Sequence, residues 1–254
     1  MSPWPGQALQ QALEPLVPGF AVAILEEVDS TNSELMRRAR AGRMEPVLLV
    51  AEQQTSGRGR LGRQWQSSVG ESLTFSLGMP LAPRDWSGLS LAVGVSLAQS
   101  LHPAIGLKWP NDLWFEMRKL GGILIETAST GEGREPSRYA VIGVGINIAQ
   151  RPASGLSTPP AFLREMLPGI DAAQALARIA EPLVRTVQAF EHSGFSAFRA
   201  RFDVRDVLRD RPVVLSDGTT GTAHGTTEGG ALLVHTARGM VPVTSSEVSV
   251  RPAA

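Results

Sequence analysis

Cysteine is absent from the sequence, which excludes a disulfide framework, thiol catalysis and a cysteine-ligated metal. Histidine is scarce, with four residues scattered along the chain, so a zinc site is not expected. The N-terminal stretch lacks the basic and apolar regions of a secretory signal, and no uninterrupted apolar run reaches roughly 18 residues. We therefore expect a cytoplasmic protein without a membrane partner.

An excess of charge of either sign is also missing. The chain has 24 Lys+Arg and 24 Asp+Glu, which gives a formal net charge of +0, so no global field draws it to nucleic acid or to an anionic membrane. With Tyr 1 and Phe 8, few aromatic side chains are available to stack on bases. DNA binding is not expected, and any anion chemistry must be local.

The apolar pattern predicts an α+β fold. Short apolar runs rich in β-branched residues predict strands with few helices between them, which favours a mixed or antiparallel sheet over a doubly wound one. "STNSELMRRARAG" predicts a helix with a capping box from Thr31 to Glu34 and a stop at Gly42. An apolar stripe after residue 171 predicts a longer helix, kinked or divided at Pro182.

The composition changes beyond about Val207, where short β-runs are punctuated by glycines. This change predicts two domains. Residues 1–206 would form the larger α+β domain, and residues 207–254 would form a small C-terminal β domain of SH3-like size.

The stretch "GRGRLGR", residues 57–63, is called the arginine loop below. Its glycines match the dinucleotide-binding pattern, but that pattern must open a helix, whereas a loop and a strand are predicted here. The phosphate-binding P-loop is excluded because Arg63 and Gln64 stand where Lys and Ser or Thr are required.

Two interpretations of the arginine loop remain. It can be a solvated surface turn. Alternatively, a polyanionic ligand pairs with Arg58, Arg60 and Arg63 and orders the loop. Such pairing would offset the repulsion between like charges and the entropy that glycines lose on ordering.

Three further polar residues are candidates for a site, each with a structural alternative. Lys108 lies in an apolar strand, where it either faces an anionic ligand or keeps its charge in water at a sheet edge. Asp112 is either part of a turn or a metal-binding group. Asn147, which follows Gly143 and Gly145, either contacts a ligand or belongs to an internal amide network.

The chain resembles the biotin protein ligase family in motifs that occur in the family's order: "STN", "GRGRLGRQW", "KWPNDL", "KLGGIL", "GINI" and, near the C-terminus, "SEVSVR". Their order makes the resemblance specific, and they span the catalytic core. The resemblance implies a class II synthetase-like mixed β-sheet core with flanking helices. A small C-terminal SH3-like β-barrel would follow.

The resemblance also implies roles for single residues. Biotin would be bound by Ser30, Thr31, Asn32, Gln54, Gly57, Arg58, Lys108 and Gly121. ATP would be bound by Arg60, Arg63, Trp65, Asn111, Lys119 and Asn147, with Trp65 stacked on adenine. Lys108, Arg58 and Arg60 would be catalytic, and Asp112 would bind a metal ion. The arginine loop would close over biotin and nucleotide. The capping interpretation of Thr31 competes with its role in the pocket.

The family's reaction has two steps: biotin and ATP give biotinyl-5'-AMP and pyrophosphate, and biotin then passes to a lysine of a carboxylase carrier domain. The resemblance thus implies ATP and biotin as substrates, Mg²⁺ as cofactor and a biotin carboxyl-carrier domain as partner. Few residues precede the first predicted strand, so we expect a monofunctional ligase without the DNA-binding domain of bifunctional members. Whether it forms a homodimer is left open.

Two alternatives are kept. A lipoate or octanoate ligase or transferase has a related core but lacks the "GRGRLGR" run. A non-enzymatic nucleic-acid-binding protein could use the arginine loop and the small β domain, although such proteins usually need a broader basic surface and stacking aromatics.

Overall fold

The computed structural model describes residues 4–129, 137–150 and 160–244, together with the backbone of residues 250–252. Most of the motif "SEVSVR", including Ser246 and Glu247, lies outside the described residues. Within the described ranges, no helix combines the length and the apolar character that crossing a membrane requires.

The larger part of the chain is built on one mixed sheet. The strands of this part of the chain are β1 (Ala21–Val28), β2 (Val47–Gln54), β3 (Gly57–Arg58), β4 (Gln64–Trp65), β5 (Ser72–Leu81), β6 (Gly106–Lys108), β7 (Asp112–Phe115), β8 (Arg118–Ser129) and β9 (Arg138–Asn147). Seven of them form the sheet in the order β1-β2-β5-β9-β8-β7-β6, while β3 and β4 pair separately. Only β1 and β2 are parallel among the neighbours in this sheet, and the others are antiparallel. The predicted mixed sheet is therefore confirmed.

Helices cover both faces of this sheet. They are α1 (Gly6–Leu13), α2 (Thr31–Arg40), α3 (Leu89–Leu101), α4 (Ala172–Ser193) and α5 (Ser196–Asp203). Side chains alternate along β2, so Leu49 packs with Leu35 of α2 on one face. Leu48 and Val50 point to the other face and join the main core with α3 and α4. The predicted flanking helices are confirmed.

The predicted cap of α2 and the predicted division of α4 at Pro182 are wrong, while a kink at Pro182 stays a prediction. The N-cap of α2 is Ser30, whose side chain accepts a hydrogen bond from the Ser33 amide, so Thr31 is the first helical residue rather than the cap. Ser30 is preferred because Thr31 already bonds to Gln54. The division at Pro182 is also absent, since α4 runs through it as one helix of 22 residues. The buried side chains on both sides of Pro182 stabilise the unbroken helix against the loss of one backbone donor.

A second sheet follows near the C-terminus. Its strands are β10 (Pro212–Leu215), β11 (Thr220–Thr226), β12 (Leu232–Thr236), β13 (Gly239–Val243) and β14 (Val250–Pro252). They lie in the order β13-β12-β11-β10-β14, and all neighbours are antiparallel. This sheet lies where the sequence predicts a small β domain. A domain boundary at residues 206 and 207 remains a prediction.

The backbone next to or within each outer strand of the large sheet forms hydrogen bonds with groups outside the sheet. At the β6 edge, the Leu107 amide donates to the Arg205 carbonyl (2.7 Å) and the Val207 amide donates to the Leu107 carbonyl (3.0 Å). At the β1 edge, the Gln10 side chain of α1 accepts from the Val22 amide (2.8 Å) and donates to the carbonyl of the preceding phenylalanine, Phe20. Residues 205–207 therefore tie the second sheet to the strand that ends at Lys108.

Candidate active site

A cavity of about 590 Å³ opens between the start of α2, the arginine loop, the β6–β7 hairpin and the middle of β8 and β9. Twelve of the predicted site residues line it: Ser30, Thr31, Asn32, Gln54, Arg58, Arg60, Arg63, Trp65, Lys108, Asn111, Asp112 and Lys119. The predicted residues Gly57, Gly121 and Asn147 are not among its lining residues. Most of the predicted site residues therefore surround one cavity, and their contacts with biotin or ATP stay predictions.

One end of the cavity is polar and uncharged. The Thr31 backbone amide donates to Gln54 Oε1 (2.8 Å) at the start of α2. Because this oxygen accepts, the Gln54 amide nitrogen is left to donate to a ligand. Ser30, which is buried, lines the same end. These groups suit a neutral ligand head that both donates and accepts hydrogen bonds.

Buried hydrogen bonds connect this end to the sheet. The Ser76 hydroxyl on β5 is hydrogen-bonded to Thr31 Oγ1 (2.7 Å) and to Asn32 Oδ1 (2.7 Å). Asn32 Nδ2 donates to the Leu124 carbonyl (3.1 Å) and to Glu126 Oε2 (2.9 Å). Both amide hydrogens of Asn32 are thus used within the protein. Asn32 shapes the wall of the cavity through these bonds, and its direct contact with biotin stays a prediction.

The chain of hydrogen bonds ends on the arginine loop. Arg58 Nη2 donates to Glu126 Oε2 at 2.6 Å, and the exposed fractions of the two side chains are 44% and 26%. The same carboxylate oxygen therefore accepts from Asn32 in the cavity wall and from Arg58 on the loop. Bonds run without interruption from Gln54 to Arg58.

Arg60 reaches further into the cavity than Arg58. Its Nη1 donates to Asn111 Oδ1 (3.3 Å), and Asn111 Nδ2 donates to the Ile123 carbonyl (2.7 Å). Burial lowers the pKa of Arg60, with Arg63 acting in the same direction and the Asp112 carboxylate opposing it. Arginine remains protonated at neutral pH despite such a shift. A partly desolvated guanidinium is stabilised by an added anion, so this position favours anion binding.

Strands β6, β7 and β8 present two lysines and an aromatic ring to the cavity: Lys108 on β6, Trp114 on β7 and Lys119 on β8. The Lys108 ammonium lies 5.2 Å from the centre of the Trp114 ring, within the range of a cation–π interaction. Lys119 Nζ lies 2.7 Å from Asp112 Oδ1. Because Lys108 pairs with Asp112 and Trp114 pairs with Lys119 across neighbouring strands, the four side chains share one face.

Two glycines of β9 permit close packing in the cavity wall. A Cβ on Gly143 would lie 2.1 Å from Asn32 Oδ1, and a Cβ on Gly145 would lie 2.4 Å from Trp65 Cε2. Both distances are too short for any side chain. The sequence predicts that these glycines let a ligand approach. In the structure they make room for Asn32 and for the Trp65 ring.

The predicted residues outside the cavity have structural surroundings. The Asn147 side chain is buried and its Nδ2 donates to the carbonyls of Ala161 (3.2 Å) and Lys119 (3.4 Å), as an amide network requires. Gly57 packs against the Trp65 carbonyl, and Gly121 packs against the Gly145 carbonyl. Contact of these three residues with ATP or biotin stays a prediction.

Three residues that were not predicted from the sequence make contacts important to the site: Ser76, Glu126 and Trp114. Ser76 and Glu126 connect parts of the site, and Trp114 contacts Lys108. Ser76 and Trp114 give no signal, because hydroxyls and aromatics are common in strands. Glu126 does give one, since it is an acidic residue at the end of the apolar run "LGGILIE".

The mixed sheet and its cation-lined cavity are those of a protein ligase of the biotin and lipoate type. The model of the Biotin/lipoate A/B protein ligase family matches residues 24–147, which include both the start of α2 and the end of β9. The match therefore covers every element that lines the cavity.

Similar proteins narrow this class. The bifunctional ligase/repressor BirA of Escherichia coli is 34% identical over 248 residues, which cover 92% of this chain and 75% of BirA. A biotin–[acetyl-CoA-carboxylase] ligase of Paracoccus denitrificans is 28% identical over 244 residues, covering 89% of this chain and 98% of that protein. Among solved structures, the Aquifex aeolicus biotin protein ligase in complex with biotin and ATP has a TM-score of 0.76 at 29% identity, covering 91% of this chain and 99% of that one. The chain belongs to the biotin protein ligase family.

Proposed function

We propose that this ligase activates biotin with ATP to biotinyl-5'-AMP and then transfers biotin to a lysine of a carboxylase carrier domain. The observation that carries the proposal is the composition of one cavity. Its uncharged polar end, with Ser30 and Gln54, meets five cationic side chains and one carboxylate: Arg58, Arg60, Arg63, Lys108, Lys119 and Asp112. Biotin and ATP fit this arrangement, because the neutral ureido head of biotin suits the uncharged end while the biotin carboxylate and the ATP polyphosphate suit the cationic part.

The first step brings two anions together. The biotin carboxylate attacks the α-phosphorus of ATP, the mixed anhydride forms and pyrophosphate leaves. Repulsion between carboxylate and phosphates opposes the approach. Lys108 and the loop arginines offset it with charges already held in the cavity, which is electrostatic preorganisation without a covalent enzyme intermediate.

The second step needs a protected anhydride. The ε-amine of the carrier lysine attacks the biotinyl carbonyl and AMP leaves with its phosphate. Until then, water must be kept out, and the arginine loop forms part of the cavity wall. A loop held by ligand charge would open once AMP has left.

Mg²⁺ is the proposed cofactor. It commonly binds through one or two carboxylates together with substrate phosphates and retained waters, so Asp112, the one carboxylate that lines the cavity among the described residues, fits that role. Within the described residues, no group of three or more His, Asp or Glu side chains could hold a metal ion. Mg²⁺ would therefore enter with the nucleotide, and it supplies neutralisation of phosphoryl charge.

The test of the first step is exchange of labelled pyrophosphate into ATP. We expect exchange that depends on biotin, with lipoate and octanoate as matched controls that give none. Exchange with lipoate or octanoate in place of biotin would assign the chain to the related ligases instead. A purified carrier domain, with its target lysine replaced by arginine as control, then tests transfer by the gain in mass.

Two further expectations concern nucleic-acid binding and the oligomeric state. We expect no salt-sensitive oligonucleotide binding in the absence of biotin and ATP, because the overall charge is balanced. Light scattering with and without biotin and ATP measures whether the ligase dimerises. Oligonucleotide binding at physiological salt would restore the nucleic-acid-binding alternative.

A further inference from the structure

We infer that Glu126 is a positioning residue that sets the Arg58 guanidinium over the biotin pocket and connects the arginine loop to the wall of that pocket. The inference rests on the proposed function and deepens it. Glu126 itself does not line the cavity. It would act on the reaction through Arg58 and Asn32.

The geometry places Glu126 between two parts of the site that are distant in sequence. Its Oε2 accepts from Asn32 Nδ2 (2.9 Å) and from Arg58 Nη2 (2.6 Å). Asn32 belongs to α2, Arg58 to the arginine loop and Glu126 to β8. One carboxylate on a sheet strand thereby fixes a helix residue and a loop residue relative to each other.

The charge of Glu126 matters as much as its position. Arg58 has a half-exposed side chain and Glu126 a quarter-exposed one, so their pairing is less screened than on an open surface. The pairing engages only Nη2 of a guanidinium that has five N–H donors. The remaining donors stay available to a ligand carboxylate or phosphate, with the planar fork already oriented.

The position of Glu126 also predicts that biotin binding at one end of the pocket affects the arginine loop at the other. Hydrogen bonds connect Gln54, Thr31, Ser76, Asn32, Glu126 and Arg58. Biotin bound at the Gln54 end would restrict the motion of these hydrogen-bonded side chains, and Glu126 would transmit that restriction to Arg58 and the arginine loop. Removing the charge of Glu126 should therefore weaken biotin binding and release the adenylate sooner, and it should do so only while Arg58 is present.

The experiment is a double-mutant cycle in pyrophosphate exchange and in adenylate release. Glu126→Gln, Arg58→Ala and the double variant are compared with the wild type. Glu27→Gln is the matched control, because Glu27 is an exposed glutamate on β1 that does not line the cavity. For Glu126→Gln we expect a KM for biotin raised about tenfold, a nearly unchanged kcat and faster adenylate release. In the Arg58→Ala background the same change should add less than about twofold.

A purely structural role would give a different pattern. In that case Glu126→Gln would lower the melting temperature in both backgrounds, and its effect on KM would multiply with that of Arg58→Ala. That result, or an unchanged KM and adenylate release in Glu126→Gln, overturns the inference while the wild type remains active. A wild type without biotin-dependent exchange overturns the proposed function and this inference with it.

Discussion

Lys108 ends β6, and its ammonium lies over the Trp114 ring in the cavity. For Lys108→Ala we expect biotin-dependent pyrophosphate exchange to fall about 10²–10³-fold, as when one preorganised group that stabilises the transition state is removed. The melting temperature should change little, because the side chain is half-buried and packs into no core cluster. Stopped exchange with a preserved far-UV spectrum is the expected result. Near-normal exchange would refute the role of Lys108.

Gly145 allows a second prediction at the scale of single residues. An alanine Cβ there would lie 2.4 Å from Trp65 Cε2 and must displace the indole. If Trp65 stacks on adenine, Gly145→Ala raises the KM for ATP about tenfold, within the range of one lost stacking contact, and leaves the KM for biotin nearly unchanged. Gly229→Ala is the control, since its Cβ would meet nothing closer than 3.9 Å and Gly229 does not line the cavity. Equal KM values for ATP in both variants would contradict the stacking role.

Sequence patterns identify candidate residues whose motif carries its own chemistry, and the roles of these residues stay predictions. Lys108 and the loop arginines could be assigned because a charge in an apolar strand or in a glycine-rich segment needs a partner. Glu126 also stands out as a charge at the end of an apolar run, but its partners could not be assigned, because they lie 68 and 94 residues away in sequence. Only the sheet order brings them together, and no local pattern contains that order.

At the scale of elements, the arginine loop has a definite conformation. The short strands β3 and β4 pair across it, and a single 3₁₀ turn spans Arg60–Gly62. Leu61 within the turn has φ 55° and is 66% exposed. A leucine in this left-handed region is strained. The loop therefore contains an exposed residue with a strained backbone, which suits a segment that rearranges.

Arg60→Gly tests this loop as a unit. We expect adenylate to form still, but to escape into solution roughly tenfold faster, because a buried cation that holds the loop over the anhydride is lost. Release is followed by chromatography of free biotinyl-5'-AMP during turnover. The control is Arg84→Gly, an exposed loop arginine that does not line the cavity. Unchanged retention in Arg60→Gly would show that the loop does not act as a lid.

The elements also show where pattern reasoning stops. Strands and helices were predictable from the spacing of apolar residues, because the buried face of each element imposes the spacing of that element. The cap of α2 was not, since Ser30 and Thr31 are both favourable N-cap types and differ little in preference. Gln54, which is 23 residues away from Thr31, decides between them. Pro182 likewise fails to divide α4, because tertiary packing outweighs one missing backbone bond.

At the scale of the whole molecule, residues 205–207 connect the two sheets and include an unusual carboxyl group. Burial raises the pKa of Asp206 to about 6, and nearby Asp203 and Asp210 add to the effect while Arg209 opposes it. Its Oδ2 has no hydrogen-bond partner in the described part of the chain. The protonated form is favoured in the folded state, so stability from this group is present below the ordinary pKa of 3.8 and lost as pH rises through about 6.

Asp206→Asn should remove this dependence. The variant should be more stable than the wild type at pH 8, by no more than roughly 3 kcal/mol because water screens a half-buried group, and the difference should shrink at pH 5. Urea unfolding at both pH values measures it. The control is Asp217→Asn, because the Thr219 amide lowers the pKa of Asp217 and any effect should be equal at pH 5 and pH 8. A gain for Asp206→Asn that is equal at both would refute the assignment.

The covered edges of the large sheet have a consequence for the protein in a crowded solution. An unpaired strand edge can recruit strands from other molecules and begin aggregation. Here the Gln10 amide covers part of β1, and residues 205–207 cover the middle of β6. The segment that bonds to Leu107, next to Lys108, thus also protects the protein against self-association, so a change that loosens it would lower solubility as well as activity.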